Sequence, residues 1–162
     1  MNQKMEKIRK YIRKVLLESV TPIPELKTKL DSDQAYEILD KYAGGTWTAG
    51  GCAILATALA KIHNAPIWVI FNQKKNVVEH FVVKIGRHKF MDYDGIHNNI
   101  IKDFRENEMV YDDPLVLMPY TKRMPISDII MNNQAAKEVM IMIEKIMYLE
   151  TKHRTKLIIK NG

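Results

Sequence analysis

The sequence predicts an α+β domain in which one apolar helix, entered at a cysteine, packs on an antiparallel sheet of about three to five strands, with helices flanking it on both sides. Three observations carry that expectation. The turn-forming pair Gly50-Gly51 runs into Cys52 and then into Ala53-Ile54-Leu55-Ala56-Thr57-Ala58-Leu59-Ala60, a helix-forming run with almost no polar face. From Ile67 the pattern switches to short β-branched and aromatic runs divided by turn residues, as adjacent strands require. Segments with apolar residues at helical spacing lie on either side, over residues 3–19 and 127–151.

Composition bounds the answer. A chain of 162 residues with 46% hydrophobic and 27% charged residues reads as one soluble domain, 1–162, with a real core. A single cysteine excludes an internal disulfide and any multi-cysteine zinc site, and fits a reducing, cytoplasmic setting. Residues 1–19 carry basic residues throughout, so they read as neither a signal peptide nor a membrane span, and no membrane partner is expected. The net charge of +6 is concentrated near the two ends, at Lys4–Lys14 and Lys152–Lys160. Without interleaved stacking aromatics, those ends read first as solvated basic faces, with nucleic-acid attraction ranked behind.

In chain order, residues 3–19 read as an amphipathic basic helix ended by Thr21-Pro22-Ile23-Pro24. A second helix spans residues 33–42, capped by Ser32 or Asp31 and broken by Gly44-Gly45. The apolar helix begins at Gly51 or Cys52, runs to Ile62, and closes at Asn64-Ala65-Pro66. Residues 67–71, 77–85 and 89–94 then form three strands of a meander, the last two joined through Gly86-Arg87-His88, and Asp94-Gly95 turns out of it. A short helix within 98–108 and a strand at 115–118 ended by Pro119 follow. Residues 127–151 read as a long helix capped by Ser127 or Asp128, with Ile130, Ala136, Val139, Met140, Ile143, Ile146 and Met147 as its stripe; 152–162 is a loose basic tail.

A constellation emerges from this order. A cysteine in the first turn of a helix meets unpaired N–H groups and the positive end of the helix dipole, which favour thiolate. If Gly86, Arg87 and His88 form the loop, Val82 falls opposite Asp92 and His80 opposite Asp94, so all three polar residues share a face. That is the nucleophile, base and orienter of a Cys/His/Asp triad. Singly, each residue has a plainer explanation: a buried inert thiol, a satisfied strand histidine, and carboxylates beside a turn. A one-residue change of loop would also turn His80 to the other face. His80, His88 and His97 with Asp92 and Asp94 hold metal-ligating atoms, but no i, i+4 histidine pair or Cys/His cluster occurs, so neither metal nor cofactor is assigned.

The strings GGCAILATALA, EHFVVKIG and KFMDYDG, spanning roughly residues 50–95, resemble the core of the papain-like superfamily in its broad sense, which includes papain-type peptidases, transglutaminase-like proteins and arylamine N-acetyltransferases. The resemblance implies a papain-like core with Cys52 as nucleophile, His80 as general base and acid, and Asp92 as the orienting carboxylate, with Asp94 as its substitute. Asp92 is preferred because the match puts the carboxylate within the strand, followed by a short x-x-Gly. Papain-type enzymes carry an oxyanion-hole Gln a few residues before the cysteine, whereas Thr46, Trp47 and Thr48 stand here. The Cys52 N–H then needs a second donor, from a Thr hydroxyl such as Thr48 or a neighbouring N–H such as that of Gly51, and Trp47 is a candidate wall of a substrate groove.

Two function classes follow. The first is a thiol enzyme of acyl transfer, a peptidase, amidase or deamidase acting on a protein or peptide amide or isopeptide bond, with transfer to an amine second. The other is a non-enzymatic binding or effector protein, of a phage type for example, on the same scaffold.

Overall fold

The computed structural model describes residues 24–126 and 131–145. The expected helix over 3–19, the caps at Ser127 and Asp128, both basic ends, and the tail from 152 lie outside those residues. Among the described residues ten elements occur in this order: α1 (Pro24–Leu30), α2 (Asp33–Tyr42), α3 (Cys52–His63), β1 (Ile67–Asn72), β2 (Val77–Lys84), β3 (Phe90–Asp92), β4 (Gly95–His97), α4 (Ile100–Glu108), β5 (Leu115–Pro119) and helical residues 133–145, here α5. The fold is α+β, and the five strands form one antiparallel sheet in the order β4-β3-β2-β1-β5.

Two apolar clusters hold the layers together. The larger joins Leu30, Leu39, Trp47, α3 and α5 to Val69, Phe81, Val83 and Met91 of the sheet. The smaller joins Ile70, Val82, Phe90 and Leu115 to Ile100 of α4. Strand alternation explains the division, because neighbours along β2 such as Phe81 and Val82 face opposite ways. The helix α3 is apolar nearly all round and is buried along most of its length, as a helix central to its fold must be. Its Thr57 hydroxyl donates to Ala53 O at 2.7 Å, which satisfies the polar group internally.

The β2–β3 register is the one that a Gly86-Arg87-His88 loop dictates: Val83 pairs with Met91 and Lys84 with Phe90. A bulge interrupts the β1–β2 ladder, since Ile70 pairs with His80 but Phe71 with Val78, leaving Glu79 as the extra residue.

Several expectations change. A short helix that the sequence did not announce, α1, opens at Pro24, where the missing N–H costs nothing. Seven residues are too few for helical periodicity to show. Asp94-Gly95 does not leave the meander, because Tyr93-Asp94 form a two-residue hairpin loop and the chain returns as β4, with Asp92 paired to Gly95. Gly95 has φ +116°, which side chains rarely adopt. Met131 and Asn132 are not helical, and α5 is capped instead by the Asn132 side chain, which accepts from the N–H groups of Gln134 and Ala135.

The entry to α3 is a tight junction. Gly51 is buried, and its N–H donates to Thr46 O at 2.9 Å. A Cβ placed on Gly51 would lie 2.6 Å from Leu39 Cδ2 and 2.8 Å from Thr46 O. Only glycine lets α2 and the 46–51 loop close on the start of α3. Gly51→Ala is accordingly expected to cost about 1–3 kcal/mol through overpacking, read as a lowered denaturant midpoint with an unchanged m-value.

Candidate active site

Cys52 is the first residue of α3 and is 2% exposed. His80 sits beside the bulge in β2, and Asp92 ends β3. Because the register puts Asp92 opposite Val82, the His80 side chain meets it diagonally across the two strands. His80 Nε2 donates to Asp92 Oδ2 at 2.9 Å. Phe104 of α4 stacks on the imidazole with ring centroids 5.6 Å apart, fixing its plane from the other side.

With Nε2 committed to Asp92, Nδ1 is the nitrogen left open. It is buried and forms no complete hydrogen bond among the described residues. The Cys52 thiol lies near enough to act on the ring, short of such a bond. Burial by itself lowers the pKa of His80. The Asp92 hydrogen bond, the approach of Cys52 and the Coulombic pull of both outweigh it, raising His80 from 6.5 to about 10.

Asp92 is more heavily engaged than the sequence suggested. Its Oδ1 accepts from His97 Nε2 at 2.8 Å and from the Asp94 N–H at 2.9 Å. Burial by itself raises a carboxyl pKa, but the two histidines overturn that and hold Asp92 well below the usual carboxylate range. His97 Nδ1 in turn meets Asp103 Oδ2 at 2.8 Å. A neutral imidazole has one N–H, whereas two facing carboxylates call for two, so His97 is held as an imidazolium. Its pKa is raised accordingly: burial opposes the shift, and Asp92 and then Asp103 outweigh burial.

The remaining sequence candidates divide. Asp94 turns away from His80 to an ion pair with Lys27 at 2.6 Å, so the structure brings Asp92 and not Asp94 to the imidazole. Trp47 walls no groove: it is 1% exposed, packed in the larger core, and its Nε1 donates to Leu30 O at 2.7 Å. The Gly51 N–H is consumed within its own loop and has nothing left to offer an oxyanion. Thr48 lines a cleft of about 250 Å³ with His80, Asp92, His97, Ile100 and Phe104. His97 was missed as a partner of Asp92, and Asp103 as the partner of His97; the one available signal was the Asp92-x-x-Gly95 hairpin, which carries the chain back beside β3. Among the described residues no group of three His, Cys, Asp or Glu side chains is placed to hold a metal ion, and no helix is long and apolar enough to cross a membrane.

Comparison of the chain with protein-family models, with curated proteins and with solved structures finds no match. The site's meaning therefore rests on its own geometry.

Stability should follow these shifts with pH. A raised His80 pKa contributes stability that is complete below the unfolded value of 6.5 and is lost as pH climbs through about 10. A depressed Asp92 pKa contributes stability complete above its unfolded value of 3.8 and lost as pH falls below it. Thermal melts should be highest between those two unfolded values. Asp92→Asn is expected to remove on the order of 3 kcal/mol there and to flatten both flanks; a variant with the wild-type pH profile would refute the linkage.

Proposed function

We propose that the protein is a cysteine-dependent acyl-transfer enzyme of papain-like design, acting on an amide or isopeptide bond of a protein or peptide. One observation carries the reading: a buried imidazole is pinned at Nε2 by a carboxylate and leaves only Nδ1 for a thiol at the start of a helix. On this reading the open Nδ1 serves the cysteine as its acid and base.

The chemistry balances with these groups. Cys52 as thiolate attacks the carbonyl carbon and forms a C–S bond, while the carbonyl electrons move to oxygen. The oxyanion accepts from the Cys52 backbone N–H, one of the first-turn donors that a helix leaves without an intrahelical acceptor. Thr48, a residue of the cleft wall, would supply a second donor through its hydroxyl, with the Thr46 hydroxyl 3.1 Å away placed to donate to it. As the C–N bond breaks, the His80 imidazolium gives its Nδ1 proton to the leaving amine. His80 then takes a proton from water, whose oxygen attacks the thioester carbon and returns Cys52 to thiolate. An amine in place of that water would make the same step a transfer.

A second reading draws on one feature. Cys52 is 2% exposed, and the cleft is walled by His80 rather than by the thiol. A closed thiol of that kind suits a binding or effector protein that has kept the scaffold without the reaction.

Iodoacetamide labelling of Cys52 across pH separates them. The enzyme reading expects labelling that stays fast at pH 6 and falls there by at least about tenfold in His80→Ala. Labelling that is slow at every pH in both proteins would leave the binding reading.

A further inference from the structure

The Cys52–His80–Asp92 line accounts for one oxygen of Asp92. The other oxygen, together with His97 and Asp103, is unused by the reaction as written. Yet His97 is the better-bound histidine: both ring nitrogens meet carboxylates at 2.8 Å, and its side chain is 11% exposed. It ends β4, a strand of three residues whose register puts Gly95 opposite Asp92 and His97 opposite Phe90. Asp103 comes from a different element, α4, so sheet and helix both converge on this ring.

We propose that His97 is a positioning residue for the reaction at Cys52: it divides the charge of Asp92 between two imidazolium rings and so sets how tightly His80 holds the proton it must deliver. The inference rests on the acyl-transfer reading above. A general acid works best when its pKa lies near the working pH, and an imidazolium bound by an undivided buried carboxylate holds its proton too firmly. Placing a second cation on Asp92 Oδ1 weakens the grip of Oδ2 on His80. Asp103 works in the opposite sense, because its anion offsets part of the charge on His97. The network is thus a graded series of alternating charges: Cys52, His80, Asp92, His97, Asp103. The other charged groups on this cleft are Asp94, which is engaged by Lys27 of α1, and Glu108 at the end of α4, and neither variant below alters them.

Opposite signs distinguish this role from mere support. In the full chain, ¹³C-labelled histidine rings are titrated by NMR, with the His80 signal assigned by its loss in His80→Ala. His97→Gln removes the cation while keeping an N–H for Asp92, and should raise the His80 pKa by about half a unit or more. Asp103→Asn, read over the pH range in which the His97 ring signal in the same spectra remains that of an imidazolium, leaves the cation uncompensated and should lower it. Asp103 is partly exposed, so that variant is expected to fold even if the first does not. A purely structural role would loosen Asp92 in both variants and lower both values; a common fall, or no movement in either, overturns the proposal. Labelling of Cys52 with iodoacetamide in the wild type and His80→Ala is run alongside. If the thiol ignores His80, the acyl-transfer reading fails on that result alone, whereas a His80-dependent thiol with unmoved ring titrations defeats only the role given to His97.

Discussion

A buried carboxylate governs this fold's geometry. Asp92 is 8% exposed, and an isolated anion at that depth would be expelled or protonated. It survives because three donors converge on it from separate places: His80 of β2, His97 of β4 and the backbone of Asp94 in the loop between β3 and β4. Each donor constrains an element. The first needs the β2–β3 register, the second needs β4 to return beside β3, and the third needs the tight Tyr93-Asp94 turn. Slippage at any of them would leave a charge unpaired in the interior, a penalty large enough to select one arrangement of the sheet's edge.

Parts of this were legible in the sequence, for identifiable reasons. The β2–β3 register was readable because Gly86-Arg87-His88 fixes a loop length and the apolar alternation on both sides agrees with only one pairing. The start of α3 was readable because Gly50-Gly51 precedes a run whose apolar character is unmistakable. Both signals are local, and both concern chemistry that side chains express within a few neighbours. Asp92 could be preferred to Asp94 only through the resemblance, and the structure supplies the physical difference: Asp94 is spent on Lys27.

What escaped notice was short or non-local. Three residues of β4 and seven of α1 give too little periodicity to register against background. Trp47 illustrates the second kind. Its position just before the cysteine suggested a groove wall, but Leu30, seventeen residues earlier, takes its indole N–H and draws the ring into the core. Nothing in the local pattern announces that partner. His97 failed for a related reason: its two carboxylates come from different elements, and its place depends on a turn at Gly95 being tight rather than open.

The extra residue at Glu79 carries a consequence of its own. In an uninterrupted strand, Val78 and His80 would share a face while Phe81 took the other. Here Val78 and Phe81 both enter the larger core, although three positions separate them, and His80 is free to meet Asp92. The bulge acts as a phase break that gives the two halves of β2 separate alternations. Beyond it, the hairpin tip is tied by its own knot, in which the buried Asn72 bonds Glu79, Asp113 and the backbone of Lys74 and Lys75. The tip is therefore fastened at the bulge itself, through Glu79. His80 takes its alternation from the half of β2 that carries Phe81 and Val83, with its own partners in β1 and β3.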